Sequence, residues 1–331
     1  MLHLHAVPMV ISAMIILVAC DGVGPDARYQ PSDLSFGERY AGGARYWGYS
    51  PVLDAQGEHA FFGCPWPGTL GRICKISRSD RRVSKVVADD FYLGQPALSP
   101  DGRWLAFVSE AEGTLPSIYV FDFIAGVSTR ITPSDSREHS PVVSPDGEWI
   151  AFVRHMSSNA DDLWSEEVFV VRFDGTQERR VTNNTVRDSP VLFSSDGRAL
   201  YLARDDSQTL GTNLYRLDLD SGNVDLVLEL QVKGHGGIAV SPDEQYVAFI
   251  DDREEPFQFD VYLCEIDGTN LRRLTYFKGF VGSVSFAMGR SDLLVCEVEP
   301  KGGDPGSIAD IVIIDWRLGL VERIPWLKEG K

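Results

Sequence analysis

The chain is short of positive charge. Its 331 residues carry 31 Lys and Arg against 48 Asp and Glu, a formal net charge of -17. A phosphate backbone needs a basic stripe, so nucleic acid is not the expected partner, and a basic or cationic one is favoured. Cysteine is scarce as well: five in a chain of this length do not make a disulfide framework. The longest uncharged apolar run, Ala6 to Ala19, is too short for a comfortable membrane span. No P-loop, dinucleotide fingerprint, CxxC pair, HExxH helix or D-x-D-x-D-G calcium loop is present. The nearest approach to a G-x-S-x-G nucleophile elbow, Gly126-Val127-Ser128-Thr129-Arg130, lacks the closing glycine. The expectation is a protein without catalytic residues and without a cofactor. A hydrophobic content of 44% with 24% charged residues is ordinary for a folded chain.

Residues 1–20 stand apart, with no Lys, Arg, Asp or Glu. An apolar core of this length suits a signal peptide. It ends in Leu17-Val18-Ala19-Cys20, which resembles a bacterial lipobox. That resemblance implies a lipid on the Cys20 thiol, a small residue before it for the peptidase, and membrane attachment by the lipid anchor only. Against it, the leading segment offers only His3 and His5 where Lys or Arg is expected. The alternative is an ordinary cleaved signal with a chance cysteine. Residues 21–44 are rich in Gly, Pro and Ser without periodicity, and read as a tether.

From residue 45 to 331 one pattern repeats six times. Its copies begin SPVLDAQGEHAFFG at Ser50, QPALSPDGRWLAFVS at Gln95, SPVVSPDGEWIAFVR at Ser140, SPVLFSSDGRALYLA at Ser189, GIAVSPDEQYVAFI at Gly237 and SVSFAMGRSDLLVCE at Ser283. A short apolar strand leads into a Ser-Pro-Asp-Gly turn, where Pro pre-sets φ and Gly ends the turn. The strand that follows, such as Trp104 to Val108, is apolar on both faces although a hairpin makes it antiparallel. A sheet covered on both sides by neighbouring sheets reconciles the two observations. A third strand and a fourth complete each unit, the fourth carrying Arg130-Ile131-Thr132, Arg180-Val181-Thr182 or Arg273-Leu274-Thr275. One such unit cannot bury its faces alone, so the six are expected to close into a ring. The expected fold class is all-β: a six-bladed β-propeller with four antiparallel strands per blade.

The SPDG turn, the L/I-A-F strand after it and the late R-R-L-T or R-R-V-T strand resemble the TolB-type propeller repeat. Four repeats match well; the first and sixth have Ala55-Gln56-Gly57 and Met288-Gly289-Arg290 in place of the turn. The resemblance covers about Ala44 to Leu327 and is to the propeller portion. It implies a role in bacterial envelope complexes, and says little about chemistry because the repeat also serves peptidases and lyases.

Strand order picks out a face. With four antiparallel strands A to D, the A–B and C–D turns share one side, and the B–C and D–A connections share the other. The former are tight and stereotyped; the latter are long and all different, the usual layout of a binding surface on a rigid scaffold. The long connections are acidic, holding Glu110, Asp161, Asp162, Glu166, Glu167, Asp205, Asp206, Asp251, Asp252, Glu254 and Glu255. They read either as a mouth for a basic partner or as the solvated loops of an acidic protein. The residue preceding strand A is expected near the mouth of the central channel. Gln95, His139, Asp188 and His235 fall there, as metal ligands, polar contacts or water-bridged channel residues. Cys64 and Cys74, on neighbouring strands of the first blade, read as a cross-strand disulfide or as two buried thiols.

Two functions remain. One is a monomeric, non-catalytic lipoprotein of the cell envelope, facing the periplasm or the outside, that binds a basic protein or peptide through the acidic B–C/D–A face. The other is a metal-dependent propeller enzyme, similar to oligosaccharide lyases, with its site at the channel mouth.

Overall fold

In the computed structural model, residues 18–19, 50–64, 72–87, 93–110, 115–132, 136–157, 165–206, 211–232, 237–256, 258–277, 279–300 and 310–324 are described. Cys20, Asp161, Asp162 and His235 lie outside them. The described residues form six antiparallel sheets in sequence order, each pairing its four successive strands A, B, C and D with immediate neighbours. The sixth sheet carries in addition the two-residue strand Val18–Ala19, antiparallel to strand D at Leu320–Ile324. The A strands touch one another around a closed circuit, from Val52–Leu53 of blade 1 to Gly279–Ala287 of blade 6 and back. The fold is therefore a six-bladed β-propeller with the A strands innermost.

The core explains the doubly apolar B strands. Buried apolar side chains fall into six clusters, one at each interface between adjacent blades. In the B strand Trp104–Ser109, Leu105 and Phe107 pack toward blade 1, whereas Ala106 and Val108 pack toward blade 3. The period of two is intact; both of its phases are covered, as the interleaving of blades requires. Fully buried phenylalanines at Phe62, Phe107, Phe152 and Phe249 occupy the same B-strand position in four blades.

The Ser-Pro-Asp-Gly turn is held by side chains as much as by backbone. In blade 2 the Ser99 hydroxyl donates to Asp101 (2.5 Å) and accepts the Trp104 N–H (2.9 Å), while Gly102 sits at φ +68°. Ser144 with Asp146, Ser194 with Asp196 and Ser241 with Asp243 repeat the contact. In blade 5 Glu244 takes the glycine position at φ +58°. Its carboxylate accepts the Ser195 N–H (2.8 Å) and the Tyr201 hydroxyl (2.7 Å) of blade 4. Two inter-blade bonds thus offset a left-handed conformation that costs about 1–2 kcal/mol.

The ring closes between blades 6 and 1 without exchanging a strand. Ser50 N–H donates to Glu297 (3.0 Å), Ser285 to the Pro51 carbonyl (2.8 Å), and Arg78 to Glu322 (2.6 Å). Gly282 leaves room for the first of these, because a Cβ there would lie 2.0 Å from Glu297 Oε1. The Cys64–Cys74 disulfide links strands B and C of blade 1, with Cα atoms 5.8 Å apart. Cys264 and Cys296 are buried free thiols, both shifted upward by burial, Cys264 to about 11.

The Arg-x-Thr triplet of strand D locks the loop-bearing end of the blade. In blade 5 the Thr275 hydroxyl accepts the Val261 N–H (2.9 Å) and donates to buried Asp260 (2.8 Å), which also takes the Phe277 N–H and the Arg273 guanidinium. Arg273 Nε donates back to the Thr275 carbonyl (2.9 Å). Blade 3 repeats this with Thr182, Val168, Glu167 and Arg180. Blade 2 has the small Ser117 at the corresponding strand start, and Thr132 reaches Glu138 of blade 3 instead. Blade 6 keeps the Arg323–Asp310 pair at 2.7 Å, and among the described residues Asp310 Oδ2 has no hydrogen-bond partner.

Replacing Thr275 by Val keeps the shape and removes both hydroxyl bonds, leaving Val261 N–H and one lone pair of Asp260 unsatisfied. The expected loss is about 1–3 kcal/mol, read as a lower denaturant midpoint, whereas Thr129→Val on an exposed strand face changes stability by less than about 0.5 kcal/mol.

Candidate functional site

The B–C and D–A connections emerge on one side of the ring, and so do the starts of strands A and C and the ends of strands B. Buried acids gather there: Glu138 and Asp188 at strand A starts, Asp205, Asp251 and Glu297 toward strand B ends, and Glu166, Glu167, Asp260 and Asp310 at strand C starts. Most are held by arginine. Glu138 binds Arg154 through Nε and a terminal nitrogen, and Arg154 also grips Glu178. Burial, the largest influence, holds the Glu138, Asp260 and Asp310 carboxyls above their usual range despite Arg154, Arg273 and Arg323.

Several of these positions differ from the sequence-based expectation. Asp188 was expected beside His139 at the channel mouth, but ladder register aligns it with Glu138, one residue further out. Asp188 pairs with Arg204 as Glu138 does with Arg154, because blade 4 has one residue more than blade 3 between its Ser-Pro-Val segment and the turn serine, Leu192-Phe193 against Val143. It is fully buried, chelated by Arg204 (2.6 and 2.8 Å) and bonded to Asn184 (2.7 Å). Asp205 and Asp251 are likewise internal: Thr212 donates to Asp205 (2.7 Å) and Arg253 binds Asp251. Glu166 and Glu167 open a strand and are buried. Glu110, Glu254 and Glu255 are exposed and Asp206 and Asp252 half-buried, so the outward acidity is carried by fewer residues than the loops contain.

At the channel mouth the structure brings His139 and Gln95 into one network. Ser140, at φ +53° before Pro141, bulges strand A, and its N–H donates to Gln95 Oε1 of blade 2 (2.7 Å). His139 contacts Ser140 Oγ through Nδ1 (3.0 Å) and Glu166 Oε1 through Nε2 (3.0 Å). The other Glu166 oxygen takes Arg187 Nε. Burial pushes the Glu166 carboxyl up, but the hydrogen bonds and charges of His139 and Arg187 together outweigh it and hold the pKa to about 2. Both His139 nitrogens contact protein groups, and the Gln95 oxygen accepts one hydrogen bond and keeps a second lone pair. Among the described residues no three His, Cys, Asp or Glu side chains converge as a metal-binding group. Charge, hydrogen bonds and exposed rings on this side are groups that recognition can use.

Sequence reading missed Glu138, Arg187 and the aromatic residues Tyr276 and Phe280 of the same side. The recurrent Arg-x-Thr triplet was the available signal for the buried acids, since a repeated polar triplet implies a repeated polar partner.

No family model matches the sequence, and no curated protein does. Solved structures do. TolB from Acinetobacter baumannii superposes with a TM-score of 0.65 at 19% identity, over 81% of this chain and 63% of that one. A putative TolB from Agrobacterium tumefaciens gives 0.61 at 19% identity, over 74% and 84%. An oligogalacturonate lyase in complex with manganese gives 0.55 at 15% identity, over 85% and 77%. The chain thus spans less than two thirds of the Acinetobacter protein's length. At these identities the likeness is one of fold: the chain is a TolB-like six-bladed propeller.

Two outcomes are expected of this cluster. Glu166 is charged in the fold down to about pH 2 but titrates near 4.5 when unfolded, so its contribution is complete above pH 4.5 and lost as pH falls toward 2. Glu166→Gln should therefore be less stable than wild type by about 3 kcal/mol at pH 7, the gap closing toward pH 2 in urea titrations. Elemental analysis of the purified protein should find no stoichiometric transition metal, and His139→Ala should leave the content unchanged.

Proposed function

We propose that this protein is a non-catalytic binding propeller of the bacterial cell envelope, and that its loop-bearing face takes a basic segment of a protein or peptide. The observation that carries this reading is the set of outward acids on one side of a rigid ring, exposed Glu110, Glu254 and Glu255 with half-buried Asp206 and Asp252, on connections that differ in every blade. A charged field of one sign at such a rim raises the encounter rate with an oppositely charged partner and makes it salt-dependent. The apolar run ending at Cys20 supports an exported, lipid-anchored protein, with the propeller carried on the 21–44 tether as a monomer. The TolB-like fold fits an envelope role. The competing metal-dependent lyase reading draws on the fold shared with the manganese-bound lyase, yet the contacts of both His139 nitrogens with Ser140 and Glu166 weigh against it.

Immobilised protein exposed to a bacterial envelope extract at low salt tests the proposal. The expected result is a basic protein retained at about 50 mM salt and released by about 0.5 M, a range over which exposed charge pairs are progressively screened. Glu110→Lys on the loop-bearing side should weaken retention severalfold, and Asp220→Lys on the opposite side should not. Retention indifferent to salt and to Glu110→Lys would contradict it.

A further inference from the structure

Between blades 5 and 6 the loop-bearing face carries exposed rings on rigid supports. Strands A and B of blade 6, Gly279–Ala287 and Arg290–Pro300, outrun the corresponding strands of blade 3. Val281 pairs with Val298 at the level where Glu138 pairs with Arg154, and the ladder continues through Phe280↔Glu299 to Gly279↔Pro300. Phe280 stands on this extension, 51% exposed. Its ring meets Phe259 of the blade 5 B–C connection edge-to-face, centroids 5.3 Å apart at 71°. Tyr276, 46% exposed, lies under the Arg273 guanidinium at 4.4 Å, and Arg273 is tied to Asp260 and Glu254. Large exposed rings fixed by a β-ladder and a buried ion pair lose little conformational entropy when a partner covers them, the property of an interface anchor.

Charge beside the rings selects the occupant. Residues 251 to 260 hold five acids, of which Arg253 binds Asp251 and Arg273 binds Asp260 and Glu254, while Asp252 is half-buried. Glu255 is exposed at the rim, and the chain as a whole carries -17. An acidic partner would meet repulsion, and an uncharged apolar one would leave these carboxylates stranded at the contact edge.

We infer that Tyr276, Phe280 and Phe259 form the anchor of the binding face, taking an extended partner segment that alternates Lys or Arg with apolar side chains. The apolar side chains cover the Phe280 and Tyr276 rings, and the basic ones lie along Asp252, Glu254 and Glu255. This deepens the proposed function and rests on it, for it names where on that face the partner is held and by what chemistry.

Two synthetic decapeptides test it by fluorescence anisotropy against the full chain, one alternating Lys with Phe and the other Glu with Phe. The lysine peptide is expected to bind and the glutamate peptide not. Phe280→Ala and Tyr276→Ala should each weaken the lysine peptide at least about tenfold with unchanged thermal midpoints, since both rings are about half exposed. Ile124→Ala, an exposed apolar residue on a C–D turn, should change nothing. If Glu255→Lys weakens binding while both ring variants bind as wild type, the anchor is refuted and the acidic-face reading stands. If the lysine peptide fails to bind, or binds unaffected by every loop-face variant, both are overturned.

Discussion

In blades 3 and 5 strand C begins, on the loop-bearing side, with a backbone N–H and a carboxylate cut off from water. An unsatisfied group there costs about 1–3 kcal/mol, enough to fray the strand. The Arg-x-Thr triplet removes that cost by letting one hydroxyl accept a backbone N–H and donate to a carboxylate that an arginine also neutralises. With Thr275, Asp260 and Arg273 locked in this way, the connections above them need contribute nothing to the fold. Their lengths and sequences are free to differ, and they do. The opposite side shows the converse, a Ser–Asp turn repeated with little change because it is itself the structural element.

That division explains why so many acids of this chain are internal. An acidic sequence with long acidic loops suggests an open negative mouth. The structure separates these acids into two populations. Glu138, Asp188 and Asp260 are construction, each bound to an arginine on its own sheet. Glu110 and Glu255 are exposed and Asp252 is half-buried. Among the described residues the outward set is smaller, and Tyr276 lies under Arg273, which also binds Glu254. In the proposed interface, charge at the rim steers and ring burial holds, a division of labour common to protein interfaces.

The fold was legible in the sequence because its cause is local and repeated. Six recurrences of strand, turn and doubly apolar strand leave a ring of mutually covering sheets as the consistent solution, and the six inter-blade clusters are that solution. The site was legible only in outline. Strand order identified the side, and the residues preceding strand A led to His139 and Gln95. The same alignment misplaced Asp188, since it matched the Ser-Pro-Val segments and passed over the extra residue before the blade 4 turn. The partners that make acids internal, Arg154 for Glu138 and Arg204 for Asp188, sit 16 residues away across a hairpin. Phe280 could not be told from core, because only the extra ladder pairs of blade 6 lift it above its neighbours.

The central claim is that the partner is held on the B–C/D–A side of the ring. Hydrogen–deuterium exchange of the whole protein, with and without a saturating basic ligand, tests it most directly by mapping backbone protection over both sides at once. The account predicts slowed exchange in residues 252–256, 258–259, 274–277 and 279–281, with the A–B turns at 99–102, 144–147 and 241–244 unchanged. Protection confined to those turns, or spread evenly over the two sides, would contradict it.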